Sequence, residues 1–274
     1  MNNTFIFWNN NTGDCMRILI TGATSGIGFD TGVELIKRGH FVYFTVHREK
    51  QVKTVVDKLK ELEFLEQASV FQLDIKDEKD RKLIYNLDID CLLCNGAVGY
   101  GGSVLDIPLV SLEENFKVNV FSTIKLIQMY CGHLFLANKK GKVVVMSSLA
   151  GTIPIPFLGS YSATKASLIS LTTCLKKELK LITSDIKVKL IEPGIFNTGF
   201  NDVMIENKKE SIYFKDLEPT LTEIEKKLFN LVGHNDTKCI VTKIVKAIES
   251  NSNKLVYSAP FFQKLTARIY SFIR

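Results

Sequence analysis

The sequence predicts an α/β fold in which a doubly wound parallel sheet of about seven strands carries helices on both faces. Three observations predict it. Short apolar runs recur along the chain, as in strands that are buried on both faces. Segments of helical periodicity alternate with these runs, and this alternation favours right-handed βαβ units in one sheet. The first apolar run leads directly into a glycine-rich turn and then into a helix.

Apolar runs and their boundaries locate the elements in the first half of the chain. The helix behind the glycine-rich turn ends near Gly39, a residue that suits a C-terminal helix cap. A helix over 49–63 is indicated by valines and leucines spaced so that they share one face. The strands of this half are predicted at 17–21, 41–46, 68–73 and 91–94, and a further helix is predicted at 77–87.

The second half repeats the alternation as far as residue 198. A glycine-rich loop leads to a long predicted helix over 111–136, and a second long helix covers 161–181. Residues 199–218 are rich in charge and poor in periodicity, which predicts a mobile substrate flap over about 199–232, with a helix at 219–231. Strands are predicted at 142–146, 186–191 and 254–257, and a last clear helix at 237–249.

Charge and hydropathy exclude several classes of protein. The 35 Lys and Arg residues only slightly exceed the 29 Asp and Glu residues and are scattered, so the net charge of +6 does not favour nucleic acid as a partner. No apolar run reaches the roughly 18 residues of a membrane span, and residues 1–15 lack the features of a signal peptide. We therefore expect a cytoplasmic protein with one domain over 16–260. The leader, 1–15, is either a disordered extension or precedes a true start at Met16.

The six cysteines do not suggest a disulfide framework. Most of them lie inside apolar runs, as small buried hydrophobic residues do. Cys91 and Cys94 have the CxxC spacing of metal sites, but residues three apart on a strand point to opposite faces. We therefore predict no metal site.

The turn after the first strand predicts a dinucleotide site. Gly22, Gly26 and Gly28 allow a tight turn and a close approach of the backbone to a pyrophosphate. The helix that begins there supplies free N–H groups and a partial positive charge. Three glycines alone are a weak pattern, but here a strand precedes them and a helix follows, which is the context that such a site requires.

Tyr161 and Lys165 are predicted to lie one turn apart on a helix, so that their side chains share a face. A nearby ammonium lowers the pKa of a phenol, which would make Tyr161 an acid or base near neutral pH. Alone, this pair is more typical of a solvated helix surface than of catalysis. The pair indicates catalysis here because Ser148 lies at the end of an apolar run and because the chain also has the glycine-rich turn.

Together these motifs resemble the short-chain dehydrogenase/reductase family in its compact, non-extended form. The matching stretches cover about residues 16–200, and the family's strand order extends the resemblance to about residue 258. One departure is Cys94-Asn95-Gly96-Ala97, where the family has Asn-Asn-Ala-Gly. The resemblance therefore does not define the packing on the adenine side at this position. The motifs are Thr21-Gly22-x-x-x-Gly26-x-Gly28, Asp74, Asn95-Gly96-Ala97, Asn119, Ser148, Tyr161-x-x-x-Lys165 and Pro193-Gly194 with Thr198.

The resemblance implies an NAD(P)-dependent oxidoreductase that interconverts a carbonyl and an alcohol. Tyr161 would transfer the proton, Lys165 would lower its pKa and bind the nicotinamide ribose, and Ser148 would polarise the carbonyl. Asn119 would hold a water that links Lys165 to solvent. Each residue also has a structural alternative: a turn cap for Ser148, a helix kink for Asn119 and a packed aromatic for Tyr161.

The same resemblance assigns cofactor contacts at the carboxyl ends of the strands. Asp74 and Ile75 would contact the adenine, and the alternative for Asp74 is to cap the next turn. Pro193, Gly194 and Thr198 would line the nicotinamide carboxamide. The other implied cofactor contacts are Gly22, Thr24, Ser25, Gly26, Ile27, Gly28, His47, Arg48, Asn95, Gly96, Ala97, Tyr161 and Lys165.

The end of the second strand favours NADP(H) over NAD(H). An NAD enzyme places Asp or Glu there for the ribose 2′-OH, whereas an NADP enzyme uses Arg nearby. Here Val46 holds the acidic position, and His47 and Arg48 follow it. Glu49 suits the start of the next helix, where acidic residues are favoured. We expect Arg48 to contact the 2′-phosphate, with His47 or Ser25 in support, and a solvated Arg48 with NAD(H) is the alternative.

The substrate is the least specified part of the prediction. The stretches 149–158 and 196–214 supply a largely apolar pocket, so a hydrophobic ketone or alcohol is favoured over a sugar acid. The amphipathic tail, 261–274, either covers the domain's own core or a subunit contact, or forms a peripheral membrane helix. Family habit implies a homodimer or homotetramer. The pocket prediction centres on Ile153, Pro154, Ile155, Pro156 and Phe157.

Two other functional classes remain. One is a catalytically silent NADP-binding sensor or scaffold, against which the intact Ser148, Tyr161 and Lys165 argue. The other is an isomerase or epimerase of nucleotide sugars, as among the extended relatives of the family. Those relatives have a different glycine spacing and a longer chain, so the carbonyl–alcohol oxidoreductase is favoured.

Overall fold

The computed structural model describes residues 15–183, 185–217, 219, 220, 222, 223, 227 and 232–265. The strands in this part of the chain are β1 (Arg17–Ile20), β2 (Phe41–Val46), β3 (Ala68–Gln72), β4 (Cys91–Cys94), β5 (Gly141–Met146), β6 (Ile186–Pro193) and β7 (Val256–Ala259). They form one parallel sheet in the order β3-β2-β1-β4-β5-β6-β7. This order confirms the predicted doubly wound fold.

Helices cover both faces of the sheet. They are α1 (Gly26–Lys37), α2 (Lys50–Glu61), α3 (Glu78–Lys82), α4 (Leu109–Phe116), α5 (Thr123–Leu136), α6 (Gly159–Ile182), α7 (Phe200–Glu206) and α8 (Lys238–Glu249). Helix α1 packs beside α8, and α4 packs beside α6. In the part of the chain that the structure describes, none of the helices combines the length and the apolar character needed to cross a membrane.

Successive side chains along each strand point to opposite faces of the sheet and belong to two apolar cores, one on each face. Ile18 and Ile20 of β1 belong to the core beneath α1 and α8, whereas Leu19 belongs to the core beneath α5 and α6. Burial on both faces explains why the strands are continuous apolar runs rather than alternating ones. Cys91 and Cys94 divide between the two cores in the same way. The structure therefore confirms that the CxxC pair points to opposite faces of β4.

The strand order reverses between β1 and β4, which lie side by side in the sheet. From β1 the chain proceeds outward to β2 and β3, and it then returns across the sheet to β4 and continues outward on the other side. In open α/β sheets a ligand crevice opens at such a reversal, outside the carboxyl ends of the strands. The loops that carry the predicted site residues all follow carboxyl ends, so the topology brings them to this crevice.

Two predicted helices differ from the observed ones. The predicted helix over 111–136 begins at Leu109 and is interrupted by a π-helical segment, Lys117–Ser122, between α4 and α5. Such π segments are frequent at functional sites, and this one contains Asn119. The helix predicted over 77–87 is α-helical only in α3. It tightens into a 3₁₀ segment, Leu83–Asn86, which buries Ile84 in the core.

Part of the predicted mobile flap is helical instead. The chain enters α7 through Gly199, which has a left-handed conformation with φ of 82°. Met204 of α7 is buried in a small cluster with Tyr161, and a helix of seven residues is too short to produce a clear sequence periodicity. Most of the predicted helix over 219–231, the leader up to residue 14 and tail residues 266–274 lie outside the described residues. Those boundaries therefore stay predictions.

Candidate active site

A single cavity of about 1070 Å³ occupies the crevice at the carboxyl ends of the strands. It is lined by every residue that the sequence assigned to catalysis or cofactor binding except Asn119. The structure thus brings together loops that are far apart in the chain, from the turn after β1 to the segment after β6. The predicted residues in the lining are Gly22, Thr24, Ser25, Gly26, Ile27, Gly28, His47, Arg48, Asp74, Ile75, Asn95, Gly96, Ala97, Ser148, Tyr161, Lys165, Pro193, Gly194 and Thr198.

The turn between β1 and α1 forms one end of the cavity. Gly22 has φ of 64°, and a Cβ on it would lie 2.6 Å from the Cα of Gly96. A Cβ on Gly28 would lie 2.4 Å from Nδ2 of Asn95. Both positions therefore require glycine, because the loop after β4 approaches the turn too closely for a side chain. The first turn of α1 consists of glycine, isoleucine and phenylalanine, so the positive end of the helix dipole opens onto this end of the cavity.

Asn95 and Thr21 connect that turn to the loop after β4. Nδ2 of Asn95 donates to the carbonyl oxygens of Thr21 and Gly22 at 3.1 and 3.0 Å. Oγ1 of Thr21 accepts from the backbone N–H groups of Asn95 and Gly96, both at 3.0 Å. The exchanged Gly96 and Ala97 do not disturb this contact, because a Cβ on Gly96 would meet its nearest neighbour at an ordinary 3.4 Å.

Tyr161, Lys165 and Ser148 meet where β5 leads into α6. Tyr161 and Lys165 are 9% and 3% exposed, and both lie in the first turns of α6. Nζ of Lys165 donates to the carbonyl oxygen of Met146 at 3.1 Å and lies 5.5 Å from the centroid of the Tyr161 ring. Oγ of Ser147 donates to the backbone carbonyl of Lys165 at 2.8 Å, which fastens α6 to the end of β5.

Burial dominates the electrostatics of this group. It raises the pKa of Tyr161 above that of an ordinary phenol, while a hydrogen bond with Ser148 acts in the opposite direction. Burial also lowers the pKa of Lys165 to about 8. The prediction that the pKa of Tyr161 is lowered is wrong for this structure, because the cost of desolvating a phenolate outweighs the other influences. Tyr161 is therefore a neutral phenol at pH 7, which suits a proton donor.

Ser148 also serves the local backbone, as the structural alternative proposed. Its Oγ accepts from the N–H of Ala150 at 3.1 Å, which caps the 3₁₀ turn Leu149–Gly151. The same side chain lines the cavity close enough to Tyr161 to oppose the rise in the pKa of its phenol, and its Oγ donates to the carbonyl oxygen of Pro193 at 3.5 Å. Capping therefore fixes the Ser148 hydroxyl beside the phenol, and the two roles are compatible.

Asn119 is buried behind the cavity, in the π-helical segment. Its Oδ1 accepts from the N–H of Val98 at 2.8 Å, and its Nδ2 donates to the carbonyl of Val98 at 2.8 Å. Nδ2 also lies 3.2 Å from Oγ1 of Thr164, one residue before Lys165. Asn119 thus ties the loop after β4 to α6, and its predicted water-holding role stays a prediction.

The far end of the cavity, beyond β2 and β3, carries charges of both signs, from Arg48, Lys76, Asp74 and Glu114. His47 and Arg48 are exposed, and Glu49 directly precedes the first turn of α2, as predicted, without a capping hydrogen bond from its side chain. Burial and then the charge of Arg48 lower the pKa of His47, so that its imidazole is neutral at pH 7. Asp74 lines the cavity. Its Oδ1 accepts from the N–H of Lys76 at 2.9 Å, so Asp74 caps the turn after β3, as the structural alternative predicted.

The lining at this end also includes Gln51, Leu73, Lys76 and Glu114, which the sequence did not predict. Nζ of Lys76 lies 2.8 Å from Oε1 of Glu114 on α4. Gln51 accepts from the N–H of Arg48 at 3.1 Å and so holds the turn that presents Arg48. A search for basic residues just after the strand end at Asp74 would have found Lys76, but its pairing with Glu114 has no local sequence pattern.

The end near Tyr161 is mainly apolar. The ring of Phe200 lies 5.8 Å from that of Tyr161, and Met204 packs in the same cluster. Within the predicted pocket stretch, Pro154, Pro156 and Phe157 do not belong to the lining. The Phe157 ring instead packs edge-on against Phe214 at 5.3 Å, away from the cavity. Other residues of the cavity lining are Tyr100, Ile153, Ile155, Leu158, Ile195, Phe196, Phe200, Asn201, Val203, Met204, Asn207, Val232 and Gln263.

Comparisons with known proteins agree with this arrangement. The model of the short chain dehydrogenase family matches residues 16–209. A probable short-chain type dehydrogenase/reductase, VdlC, of Helicobacter pylori is 31% identical over 204 residues, 71% of each chain. An NADPH-dependent 3-dehydrocapnine reductase of Ornithobacterium rhinotracheale is 28% identical over 187 residues, 66% of this chain and 65% of that protein.

The fold also matches solved structures. The crystal structure of a short chain dehydrogenase/reductase from Burkholderia phymatum in complex with NAD superimposes with a TM-score of 0.80. The two chains are 19% identical, and the match covers 93% of this chain and 92% of the other. At that identity the match shows a shared fold alone. The family model and the Helicobacter relative, in contrast, match this chain in its sequence.

Replacing Asn95 by leucine, which has the same branched arrangement of side-chain atoms but no donor, should destabilise the protein. Two carbonyl oxygens would lose their donor in a partly buried position, at a cost of about 1–3 kcal/mol in the free energy of unfolding. Urea unfolding followed by circular dichroism measures this. Asn86→Leu, at an exposed position, should change the free energy by less than about 0.5 kcal/mol. Equal stability of the two variants would contradict the bridging role of Asn95.

Proposed function

The chain belongs to the short-chain dehydrogenase/reductase family, and on this premise we propose that it reduces an apolar ketone to an alcohol with NADPH. The observation that carries the proposal is the single cavity shared by Tyr161, Lys165, Ser148 and the glycine turn before α1. A cofactor held by the turn and a substrate beside Tyr161 would meet within this cavity. The intact acid–base group favours an enzyme over a silent sensor or scaffold.

The residues in the cavity fit a dinucleotide. Gly22 and Gly28 allow the loop after β4 to approach the turn closely, and the start of α1 offers backbone N–H groups to a pyrophosphate. One relative is named as an NADPH-dependent reductase, and a similar fold has been solved with NAD. A bound nicotinamide cofactor supplies the hydride. The chain's own side chains supply orientation, the proton and the exclusion of water.

Basic residues at the ribose end support NADP(H) over NAD(H). Arg48 and Lys76 line this end of the cavity together with Asp74 and Glu114, whereas Glu49 belongs to the start of α2 and lies outside the lining. Arg48 carries the permanent charge and the planar donors that suit a 2′-phosphate. Lys76 is paired with Glu114 and serves as a second, weaker cation. His47, neutral at pH 7, offers a hydrogen bond rather than a charge.

The proton transfer is assigned to Tyr161. Burial keeps its phenol protonated at neutral pH, so it can give a proton to the oxygen of a ketone as that oxygen gains charge. The Ser148 hydroxyl, fixed beside it by the cap on Ala150, donates a hydrogen bond to the same oxygen. A preorganised donor of this kind stabilises the charged transition state more than the neutral ketone.

Lys165 is assigned to stabilising the tyrosinate that remains after proton transfer. Its ammonium lies near the Tyr161 ring, on the same face of α6. An ammonium beside a phenolate favours the charged form of the phenol, so the benefit arises as the proton leaves. The low pKa of Lys165, about 8, also makes it able to exchange protons near neutral pH.

The lining near Tyr161 favours an apolar substrate. Ile153, Ile155, Leu158 and Met204 form most of this wall. The few polar groups there, such as Asn207, would orient a ligand rather than hold a charge. We extend the proposal to a hydrophobic ketone or alcohol, and to a cytoplasmic homodimer or homotetramer as in the family, with residues 199–232 as the substrate flap.

Tyr161→Phe should abolish ketone reduction while leaving NADPH binding intact. Loss of the proton donor should lower kcat by about a hundred- to ten-thousand-fold, because the ring still packs against Phe200 but has no hydroxyl. A screen of apolar ketones at the nicotinamide absorbance, with fluorescence titration of NADPH, measures both quantities. Tyr213→Phe, at a position 66% exposed, is the matched control. Unaltered turnover in Tyr161→Phe would refute the assignment and favour the sensor or scaffold.

Arg48→Ala should raise the KM for NADPH by about 10- to 100-fold, because a charge-assisted hydrogen bond contributes roughly 1.5–3 kcal/mol. The KM for NADH should change little. Steady-state kinetics with both cofactors measures this. Arg38→Ala, which removes a guanidinium paired with Glu34 and Glu249 instead, is the control. Equal efficiency of the wild type with NADH and NADPH would count against the choice of NADP(H).

The rate of ketone reduction should decline as the pH rises through about 8. Lys165 is charged below its pKa of about 8 and neutral above it, so the tyrosinate loses its stabilising charge in the alkaline range. Tyr161 keeps its proton throughout, because its pKa is raised. We expect kcat to be level near pH 7 and to fall by up to about tenfold per pH unit above the pKa. A profile of kcat against pH that stayed level into the alkaline range would be inconsistent with this role.

A further inference from the structure

The segment after β7 returns to the cavity through one polar side chain, Gln263. Its Oε1 accepts from the backbone N–H of Ile195 at 2.8 Å. Its Nε2 donates to the carbonyl of Val232 at 2.7 Å. Gln263 also lines the cavity itself. One amide therefore joins the segment after β6, the segment before α8 and the beginning of the tail.

The segment that Gln263 braces is the one predicted to face the nicotinamide. Gly194 donates its N–H to the carbonyl of Ala259 at 2.8 Å, and the sheet ends there. Beyond it, the carbonyl of Ile195 accepts from the N–H of His234 at 3.0 Å. The N–H of Ile195 lies past the last strand pairing, and the Gln263 side chain is its acceptor. A backbone donor at the edge of a cavity needs such a partner.

The approach of Gln263 also accounts for the glycine at position 194. A Cβ on Gly194 would lie 1.9 Å from Oε1 of Gln263 and 2.9 Å from Cδ of Pro260. Gly194 is therefore needed for the close approach of the tail rather than for its own backbone conformation. The Pro-Gly pair at the end of β6 and the glutamine in the tail form one packing unit, although the adjoining Ile195 lies 68 residues from Gln263 in the chain.

We propose that Gln263 is a positioning residue for hydride transfer, which rests on the proposed function. By fixing the backbone at Ile195, it holds the wall formed by Pro193, Gly194 and Thr198 against the nicotinamide ring. Catalytic rates depend on sub-ångström placement of the reacting atoms. Loss of this brace should therefore slow the chemical step far more than it weakens contacts at the ribose and phosphate end of the cavity.

Gln263→Leu, which keeps the approximate side-chain volume and removes both hydrogen bonds, tests the proposal. We expect kcat for ketone reduction to fall about tenfold, the equivalent of roughly 1.4 kcal/mol. The dissociation constant of 2′-phospho-ADP-ribose, which lacks the nicotinamide, should stay within about twofold of the wild-type value, because its contacts lie at the other end. Hydrogen exchange at the Ile195 amide should become faster. Phe262→Ser, at a neighbouring position 79% exposed, is the control for general disturbance of the tail.

A second pair of variants separates bracing from simple packing. Gln263→Glu keeps an acceptor for Ile195 and loses the donor to Val232, so it should retain slow exchange at Ile195 and recover most of the lost kcat. Gly194→Ala should displace Gln263 and reproduce the effect of Gln263→Leu. Because the two changes break the same contact, combining them should lower kcat by less than the product of the single effects.

The outcomes are distinct. An active wild type whose kcat and Ile195 exchange are unaltered by Gln263→Leu would overturn the positioning role and leave the proposed function standing. Equal losses of kcat and of 2′-phospho-ADP-ribose binding would also overturn it, because they indicate a general disturbance of the fold. A wild type that neither binds NADPH nor reduces any ketone would overturn the proposed function itself, and the positioning role with it.

Discussion

The close approach between the turn after β1 and the loop after β4 is the constraint on which the site depends. These loops meet because the strand order reverses between β1 and β4. Gly22 and Gly28 permit the approach, and Asn95 and Thr21 hold it by hydrogen bonds to the opposite backbone. With this contact in place, the start of α1 opens into the crevice and the ends of β5 and β6 form its other side.

Burial determines the chemistry at the other end of the cavity. Tyr161 and Lys165 lie side by side, yet desolvation moves the pKa of each toward its neutral form. At pH 7 the phenol therefore holds its proton, and the amine, with a pKa of about 8, is mostly charged. The same desolvation would strengthen the attraction between ammonium and phenolate once the proton has moved. The environment, more than the pair itself, therefore sets the protonation state from which the proposed reduction would start.

Features that depend on neighbours in the chain could be predicted from the sequence, and features that depend on distant contacts could not. The bounds of β2 and β4 follow from apolar runs, and the Tyr161 and Lys165 pair follows from helical spacing. The salt bridge of Lys76 with Glu114, the packing of α7 on Tyr161 and the return of Gln263 to Ile195 have no local pattern. The pKa of Tyr161 was predicted in the wrong direction because burial cannot be judged from two residues on a helix.

The part of the chain that matches the family does not include all of the residues that line the cavity. The family model ends at residue 209, and within that range lie the glycine turn and the residues proposed for catalysis. Val232 and Gln263, which also line the cavity, come from beyond it. A segment outside the shared range thus bonds to the backbone of Ile195, next to the residues proposed to face the nicotinamide. If Gln263 has the proposed positioning role, changes after residue 209 would alter the rate as well as the choice of substrate.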